Sequence, residues 1–160
     1  MKMQSVEIVL PDNANVVIGQ SHFIKTVEDI YEVIVSTVPQ AKFGVAFCEA
    51  SGPCLVRVDG NDESLMKSAS ENAMSIGAGH TFVIILRDSY PINIMNRLRD
   101  VQEICTIFCA TANPLDVVVI ENERGRGIIG VIDGERPKGV ETEKDADDRK
   151  ALLRKFGYKR

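Results

Sequence analysis

The sequence predicts a single domain of the α+β or α/β class, in which about four helices cover a mixed β-sheet. The 160 residues are close to the length of one average domain, and 44% of them are hydrophobic, as in an ordinary globular protein. The hydrophobic pattern switches repeatedly between a strand-like and a helix-like period, so strands and helices are interleaved. Several predicted strands follow one another directly, which favours a mixed sheet over a purely parallel one.

The first half of the chain contains four predicted strands and two predicted helices. Thr26 begins the first helix as its capping residue, with Asp29 as the reciprocal carboxylate of a capping box, and Pro39 ends it. The second helix ends near Ile76, where Gly77 supplies the left-handed residue that often terminates a helix. The strands are predicted over residues 6–10, 15–19, 42–48 and 54–58.

The second half begins with an apolar run over residues 81–86 that is rich in β-branched side chains, as expected for a central strand covered on both faces. Pro91 suits the first turn of a third helix, and Asp145 is predicted to cap a fourth helix near the C-terminus. Further strands are predicted over residues 104–109, 117–120 and the apolar part of 124–134.

Overall charge and hydropathy argue against two classes of protein. A formal net charge of −4 does not favour a general nucleic-acid binder, because such binding is driven by the release of counterions from phosphates. No apolar run approaches the roughly 20 residues needed to cross a bilayer. Glu7 also interrupts the apolar residues of the N-terminus, so no signal peptide is expected. We therefore expect a cytoplasmic protein with no membrane partner.

The four cysteines are expected to be reduced and buried. They are not accompanied by the tightly spaced His or Cys residues that a zinc site needs, so no metal site is expected. A disulfide between Cys48 and Cys54 across a hairpin is the alternative.

Four polar, glycine-bearing segments are the candidate sites, since rigid scaffolds usually present functional groups on loops. In the first, His22 and Lys25 precede a helix N-terminus, where free N–H groups favour an anion such as phosphate. The alternative is that His22 only donates to a loop carbonyl and that Lys25 is solvated. In the second, His80 follows glycines at 77 and 79, which let the backbone approach a ligand or simply let the chain reverse.

The other two segments carry groups suited to a nucleoside or a phosphate. Glu49 and Ser51 follow a predicted strand, where polar groups can bind ribose or can simply build a turn. Arg126, next to Gly127, can fork onto a phosphate, and Asn113 lies in the loop before the preceding strand. No Walker-type lysine–serine pair follows the glycines, so this segment is not a P-loop. A hairpin turn explains the glycines equally well.

Six stretches of the chain carry a resemblance to a known family: GQSHFIKTVED (19–29), KFGVAF (42–47), EASG (49–52), GAGH (77–80), ATANP (110–114) and the glycine-containing run 127–134. Together they resemble the adenosine-specific kinase family, and they occur in the family's order over nearly the whole chain. The resemblance implies binding of adenosine and AMP in preference to di- and triphosphates, and a phosphohistidine as the phosphoryl carrier.

The resemblance implies His22 or His80 as the carrier, and His22 is placed first because its surroundings suit a phosphate better. No cofactor other than the nucleoside ligand is expected, although a divalent cation is compatible with phosphoryl transfer. The substrate contacts implied are Lys25, Thr26, Glu49, Ser51, Asn113, Arg126 and Gly127.

Two other functions fit the same residues. One is a non-catalytic sensor of adenosine or AMP, in which the histidine only binds the phosphate. The other is a structural subunit whose glycine-rich and polar segments form an oligomer interface. For each of these functions, as for the kinase, we expect a homo-oligomer, with a trimer favoured over a dimer.

Overall fold

The computed structural model describes all 160 residues, which form two β-sheets and four helices. The strands are β1 (Lys2–Ile8), β2 (Asn15–Ser21), β3 (Lys42–Cys48), β4 (Val56–Gly60), β5 (Thr81–Arg87), β6 (Ile104–Thr111), β7 (Leu115–Glu121) and β8 (Arg126–Asp133). The helices are α1 (Thr26–Thr37), α2 (Glu63–Ile76), α3 (Pro91–Arg99) and α4 (Glu143–Lys155). A five-stranded sheet has the order β4-β3-β5-β2-β6, and a three-stranded sheet has the order β1-β7-β8.

The fold-class prediction is confirmed in its α+β form, with four helices in a single domain. All strand pairs inside both sheets are antiparallel, so the strands form two antiparallel sheets where the sequence suggests one mixed sheet. The one parallel contact is an isolated bridge between Ala78 and Arg126. No helix is both long enough and apolar enough to cross a membrane.

Two hydrophobic cores cover the two faces of the five-stranded sheet. Helices α1 and α3 pack on one face, around side chains such as Phe43 and Phe82. Helix α2 and the three-stranded sheet cover the other face, around side chains such as Ile18 and Ile85. Strand β5 lies in the centre, and its residues 81–86 are buried, as predicted for a strand covered on both faces.

The start of α1 differs from the predicted capping box. Lys25 is the residue that precedes the helix, and no side chain caps the first turn. Thr26 is fully buried, and its hydroxyl donates a 2.6 Å hydrogen bond to the carbonyl of Phe23 and shares another of 2.6 Å with the hydroxyl of Ser21. Asp29 pairs with Lys25 instead. The prediction is wrong because the buried Ser21 hydroxyl and the loop carbonyl, which a local pattern does not show, compete for the Thr26 side chain.

The remaining helix ends follow local rules more closely. Gly77 has a left-handed φ of 63° directly after α2, and Pro91 is the first residue of α3, both as predicted. Helix α4 is capped by Thr142, whose hydroxyl accepts from the N–H of Asp145. The prediction of Asp145 as the cap is therefore wrong, since Asp145 supplies the reciprocal carboxylate of the capping box.

All four cysteines are free, so Cys48 and Cys54 form no disulfide. Cys48 is buried and Cys109 is half-buried, and burial raises the pKa of each thiol to about 11. These two thiols are therefore unreactive near neutral pH. The prediction that all four thiols are buried is wrong, because Cys54 and Cys105 are exposed.

Helix α2 packs directly against β3 at Gly44. A Cβ placed on Gly44 would lie 2.3 Å from backbone atoms of Leu65 and Met66 in the first turns of α2. Backbone atoms cannot rotate aside as a side chain can, so the whole helix would have to move away from the sheet.

We expect Gly44→Ala to lower the free energy of unfolding by about 3 kcal/mol or more, the upper range for overpacking. Gly139→Ala is the matched control, because a Cβ at Gly139 meets nothing within 4 Å. The control should change the free energy of unfolding by less than about 0.5 kcal/mol. Urea unfolding of both variants measures the difference, and equal effects would contradict the close approach of α2.

Candidate functional site

One end of the five-stranded sheet gathers most of the polar residues singled out in the sequence. Because the strands alternate in direction, the C-terminal ends of β2 and β3 meet the N-terminal ends of β5 and β6. His22 directly follows β2, Glu49 follows β3, His80 precedes β5 and Glu103 precedes β6. Residues that are far apart in the sequence therefore leave the sheet side by side.

His80 occupies a strained position at the centre of this end. Its φ is 63°, in the left-handed region that a non-glycine residue seldom adopts. Its N–H donates to the carbonyl of Cys48 (2.8 Å), and its carbonyl accepts from the N–H of Ser21 (3.0 Å). Its ring stacks on the buried ring of Phe47, with 5.8 Å between centroids and 17° between planes. The backbone and one face of the imidazole are thus fixed by neighbouring strands.

His22 has a more open environment. It is exposed, and it lines a cavity of about 270 Å³ together with Phe23, Lys25, Gln102 and Glu103. Its backbone N–H donates to the carbonyl of Glu103 (2.9 Å), which anchors the loop to the start of β6. The imidazole is therefore accessible while its backbone is fixed.

Three charged groups surround the cavity beside His22. The Lys25 ammonium pairs with Asp29 one turn along α1, and it lies 3.6 Å from Oε2 of Glu103. The pairing with Asp29 is the main cause that raises the pKa of Lys25, with a further contribution from Glu103. The Glu103 side chain is only 1% exposed. Burial raises the pKa of its carboxyl, and the neighbouring Asp29 carboxylate raises it further.

Helix α1 begins directly after Lys25, which lines the same cavity. No side chain caps this helix, so the N–H groups of Val27 and Glu28 have no side-chain partner. Free N–H groups at a helix N-terminus attract anions, and phosphate in particular. The phosphate site expected after His22 stays a prediction, and the cap expected there is absent.

A larger cavity of about 650 Å³ lies at the same end of the sheet, on the side of α2. Its volume falls within the usual range for small-molecule sites. It lies between the β3–β4 hairpin, the turn before β5 and the β7–β8 hairpin. Among the residues that line it are Glu49, Gly77, Gly79, Glu121, Arg126 and Gly127.

Arg126 is held in place at the edge of this larger cavity. Its Nε donates to Glu121 (2.6 Å), and its Nη1 lies 3.2 Å from the carbonyl of Ser75 and 3.4 Å from that of Ile76. A cation at the C-terminus of α2 complements the helix dipole. Arg126 therefore stabilises the C-terminus of α2, and it also lines the cavity, where its guanidinium can contact a ligand.

Glu49 is similarly anchored on the opposite wall. Its carboxylate accepts from the N–H of Leu55 (3.0 Å) and from Nε of Arg57 (2.6 Å), and these contacts lower its pKa. Ser51 lies in the exposed tip of the β3–β4 hairpin and is not among the residues that line the cavity. The predicted residues Glu49, Arg126 and Gly127 are thus brought together, while Ser51 is peripheral.

Asn113 and Thr26 are not brought to a common ligand position. Asn113 lies in the β6–β7 turn, where its amide donates to Asp133 (3.1 Å). That turn is at the far end of β6 from His22, about 23 Å away along an extended strand. Thr26 is buried beneath the loop that carries His22. A further cavity of about 780 Å³ lies at the Asn113 end, but none of the predicted site residues lines it.

The model of the family described as "Adenosine specific kinase" matches residues 6–159 of this chain. The chain belongs to the adenosine-specific kinase family. The crystal structure of the PH1918 protein from Pyrococcus horikoshii OT3 has the same fold, with a TM-score of 0.95 and 40% sequence identity. The similarity covers 99% of this chain and 98% of that one. No curated protein matches the chain.

Glu103 belongs to the candidate site of this chain but is not predicted from the sequence. It is a single carboxylate between α3 and β6 with no motif around it, and only its burial near Lys25 sets it apart from the other glutamates. For Asp29 the sequence predicts only a capping role, whereas the structure pairs it with Lys25. No group of three or more His, Cys, Asp or Glu side chains is placed to hold a metal ion.

Proposed function

We propose that this chain is a phosphotransferase that passes a phosphoryl group through a phosphohistidine to adenosine. The observation that carries the proposal is the position of His22, whose exposed side chain lines the same cavity as Lys25, the residue directly before the uncapped helix α1. Membership of the adenosine-specific kinase family supports adenosine as the acceptor. Positioning and charge neutralisation supply most of the catalysis of phosphoryl transfer, and these groups can provide both.

The reaction has two steps. In the first, a ring nitrogen of His22 attacks the phosphorus of a phosphate ester or anhydride donor, and the bond from phosphorus to the donor oxygen breaks. In the second, the 5′-hydroxyl oxygen of adenosine attacks the phosphohistidine, the N–P bond breaks, and its electron pair returns to the imidazole. The hydroxyl proton passes to solvent, and AMP leaves. The reverse of the second step would return the phosphoryl group from AMP to the histidine.

The larger cavity is the proposed nucleoside site. Its 650 Å³ suits a nucleoside, and Glu49 offers carboxylate oxygens at its wall for hydroxyl or amino groups of the ligand. Arg126 and the open backbone at Gly127 form the facing wall. Gly79 lines this cavity and His80 follows it directly, so the nucleoside would lie at the sheet end that carries both histidines. Its 5′-hydroxyl would then have to reach across that end to His22, because the His22 cavity lies on the side of α1.

His80 is the second candidate for the carrier, and a specific observation favours it. A left-handed φ at a residue other than glycine costs free energy, and such strain is concentrated at functional sites. Its ring, however, is stacked on Phe47, and its nearest neighbours in the sequence include no cation before Arg87. His22 has Lys25 and free helix N–H groups close by, so we place it first.

Two alternatives use the same residues. A sensor would bind AMP with its phosphate beside His22 without forming an N–P bond. A structural subunit would place the polar loops in an interface between copies and would bind no nucleoside. A divalent cation is compatible with the kinase and with the sensor, entering together with the ligand phosphate.

We expect the chain to bind adenosine and AMP, and to bind ATP at least about tenfold more weakly, a difference of about 1.4 kcal/mol. There is no P-loop to hold a triphosphate. Calorimetric titration with the three ligands measures this order. ATP binding as tight as that of AMP would contradict it, and absence of all binding would favour the structural subunit.

We expect the freshly purified protein to carry acid-labile phosphate on His22. Charge-assisted hydrogen bonds from the N–H groups of α1 and from Lys25 should stabilise the phosphoryl oxygens, and each contributes about 1.5–3 kcal/mol. Intact mass before and after mild acid, in the wild type and in His22→Gln and His80→Gln, measures the label. His22→Gln should lose it, and His80→Gln should keep it.

The control for this labelling is Lys25→Met, which keeps both histidines and should reduce the label without abolishing it. Loss of label in His80→Gln alone would make His80 the carrier. An unlabelled wild type that still binds AMP would favour the sensor.

We also propose that the chain forms a homo-oligomer, with a trimer favoured over a dimer. No residue of α4 is buried, although Leu152 and the adjacent Phe156 are apolar, and Ile129 and Ile132 of β8 are more than half exposed. Burial of these side chains between copies would be favourable. Light scattering over a wide concentration range should give a multiple of the 17.6 kDa chain mass. A monomer mass throughout would contradict the proposal.

A further inference from the structure

Glu103 is the one buried polar side chain for which the fold offers no hydrogen-bond partner. Both of its carboxylate oxygens are buried and neither makes a hydrogen bond, although the Asp29 carboxyl is close enough to share a proton with Glu103. Its nearest cation, the Lys25 ammonium, lies 3.6 Å away and is already paired with Asp29. A buried carboxylate that lacks such partners is costly unless it takes up a proton or meets a ligand.

The position of this carboxyl relates it to the phosphate site. Glu103 lines the cavity that His22 and Lys25 also line, and its backbone carbonyl holds the N–H of His22. The charged groups that face it, Lys25 and Asp29, both come from the start of α1, and α3 contributes no ion pair to it. Besides Lys25 and Glu103, the only titratable side chain that lines the cavity is His22.

The charge balance of the cavity depends on a single proton. If both Asp29 and Glu103 are ionised, two carboxylates outweigh the one ammonium of Lys25, and a phosphate placed beside His22 is repelled. If Glu103 is neutral, Lys25 and Asp29 cancel, and the helix N–H groups leave the cavity favourable to an anion.

We propose that Glu103 is a positioning residue that carries a proton when the cavity holds an oxyanion, so that the neutral carboxyl keeps the Lys25 ammonium available to a phosphate beside His22. The inference rests on the proposed phosphate site at His22. The ligand it concerns is a tetrahedral oxyanion, either the phosphate of the phosphohistidine or that of AMP. Burial and the adjacent Asp29 carboxylate, which raise the pKa of Glu103, act in the required direction.

The proposed proton on Glu103 determines whether oxyanion affinity rises or falls with pH. A carboxyl whose pKa is raised above the ordinary value of 4.5 loses its proton as the pH rises through that raised value. Oxyanion affinity should therefore be highest at low pH and should fall as Glu103 ionises. By linkage, a bound oxyanion should raise the pKa of Glu103 further.

Sulfate titration of the full-length chain tests the proposal. Sulfate keeps its charge between about pH 5 and about pH 8.5, whereas phosphate and histidine titrate in that window. The background variant is therefore His22→Gln, which removes the imidazole. In this background the dissociation constant of sulfate should rise about three- to tenfold as the pH rises through the raised pKa of Glu103, as expected for one added charge at short range.

The critical variant is E103Q in the same background, which keeps the shape of the side chain and cannot ionise. Its sulfate affinity should stay constant with pH and should equal the low-pH value of the background. Glu28→Gln, an exposed carboxylate in the first turn of the same helix, is the matched control and should leave the pH dependence intact. Lys25→Met should weaken sulfate binding at every pH.

The outcomes separate this inference from the proposed function. An unchanged pH dependence in E103Q, or none in the background, overturns the role of Glu103 and leaves the phosphate site in place. Absence of sulfate binding in the wild type overturns the phosphate site itself, and with it this inference. If E103Q does not fold, carboxyl-carbon NMR of the wild type replaces it. A titration midpoint for Glu103 above 4.5 that rises with sulfate supports the proposal, and a midpoint that sulfate does not move overturns it.

Discussion

The backbone of His80 ties three strands together, because its N–H donates to Cys48 at the end of β3 and its carbonyl accepts from Ser21 at the end of β2. These bonds extend the antiparallel ladders one residue before β5, at a residue whose left-handed φ costs about 1–2 kcal/mol. Two hydrogen bonds of about 1 kcal/mol each offset that cost. Since the strand ends are held at this point, the loops that carry His22 and Glu49 leave the sheet next to each other. The candidate site depends on this junction.

Electrostatic balance is the second constraint on the site. Lys25, Arg57 and Arg126 each pair with at least one carboxylate, whereas Arg124, which lines the larger cavity, forms no ion pair. In the cavity beside His22, a phosphate must therefore draw on main-chain N–H groups, or on Lys25 once a neighbouring carboxylate has been neutralised. The uncapped start of α1 offers the first, and the buried carboxyl of Glu103 provides a physical route to the second. Both features lie on the side of α1, whereas the larger cavity lies on the side of α2.

Much of the fold follows from patterns that span only a few residues. The buried strand at 81–86, the left-handed Gly77 after α2 and the proline that begins α3 are all predictable, because each reflects a local backbone preference or a continuous apolar run. Local rules fail at the start of α1, where Thr26 bonds to Ser21 and a loop carbonyl. The failure has a physical cause, since a hydroxyl bonds to whichever partner the tertiary structure places nearest when water is excluded.

The sequence by itself determined that strands and helices are interleaved, as in an α+β or α/β domain, together with most element positions and the candidate residues for a nucleoside or phosphoryl site, because residue chemistry and hydrophobic period are local properties. Only the tertiary structure decided how those residues combine. Strand pairing between distant segments brought His22, His80 and Glu49 to one end of a sheet and left Asn113 at the other. It also buried Glu103 beside Lys25 without a hydrogen-bond partner. Burial and charge proximity depend on contacts between residues far apart in the chain, and no local pattern around a single glutamate records them.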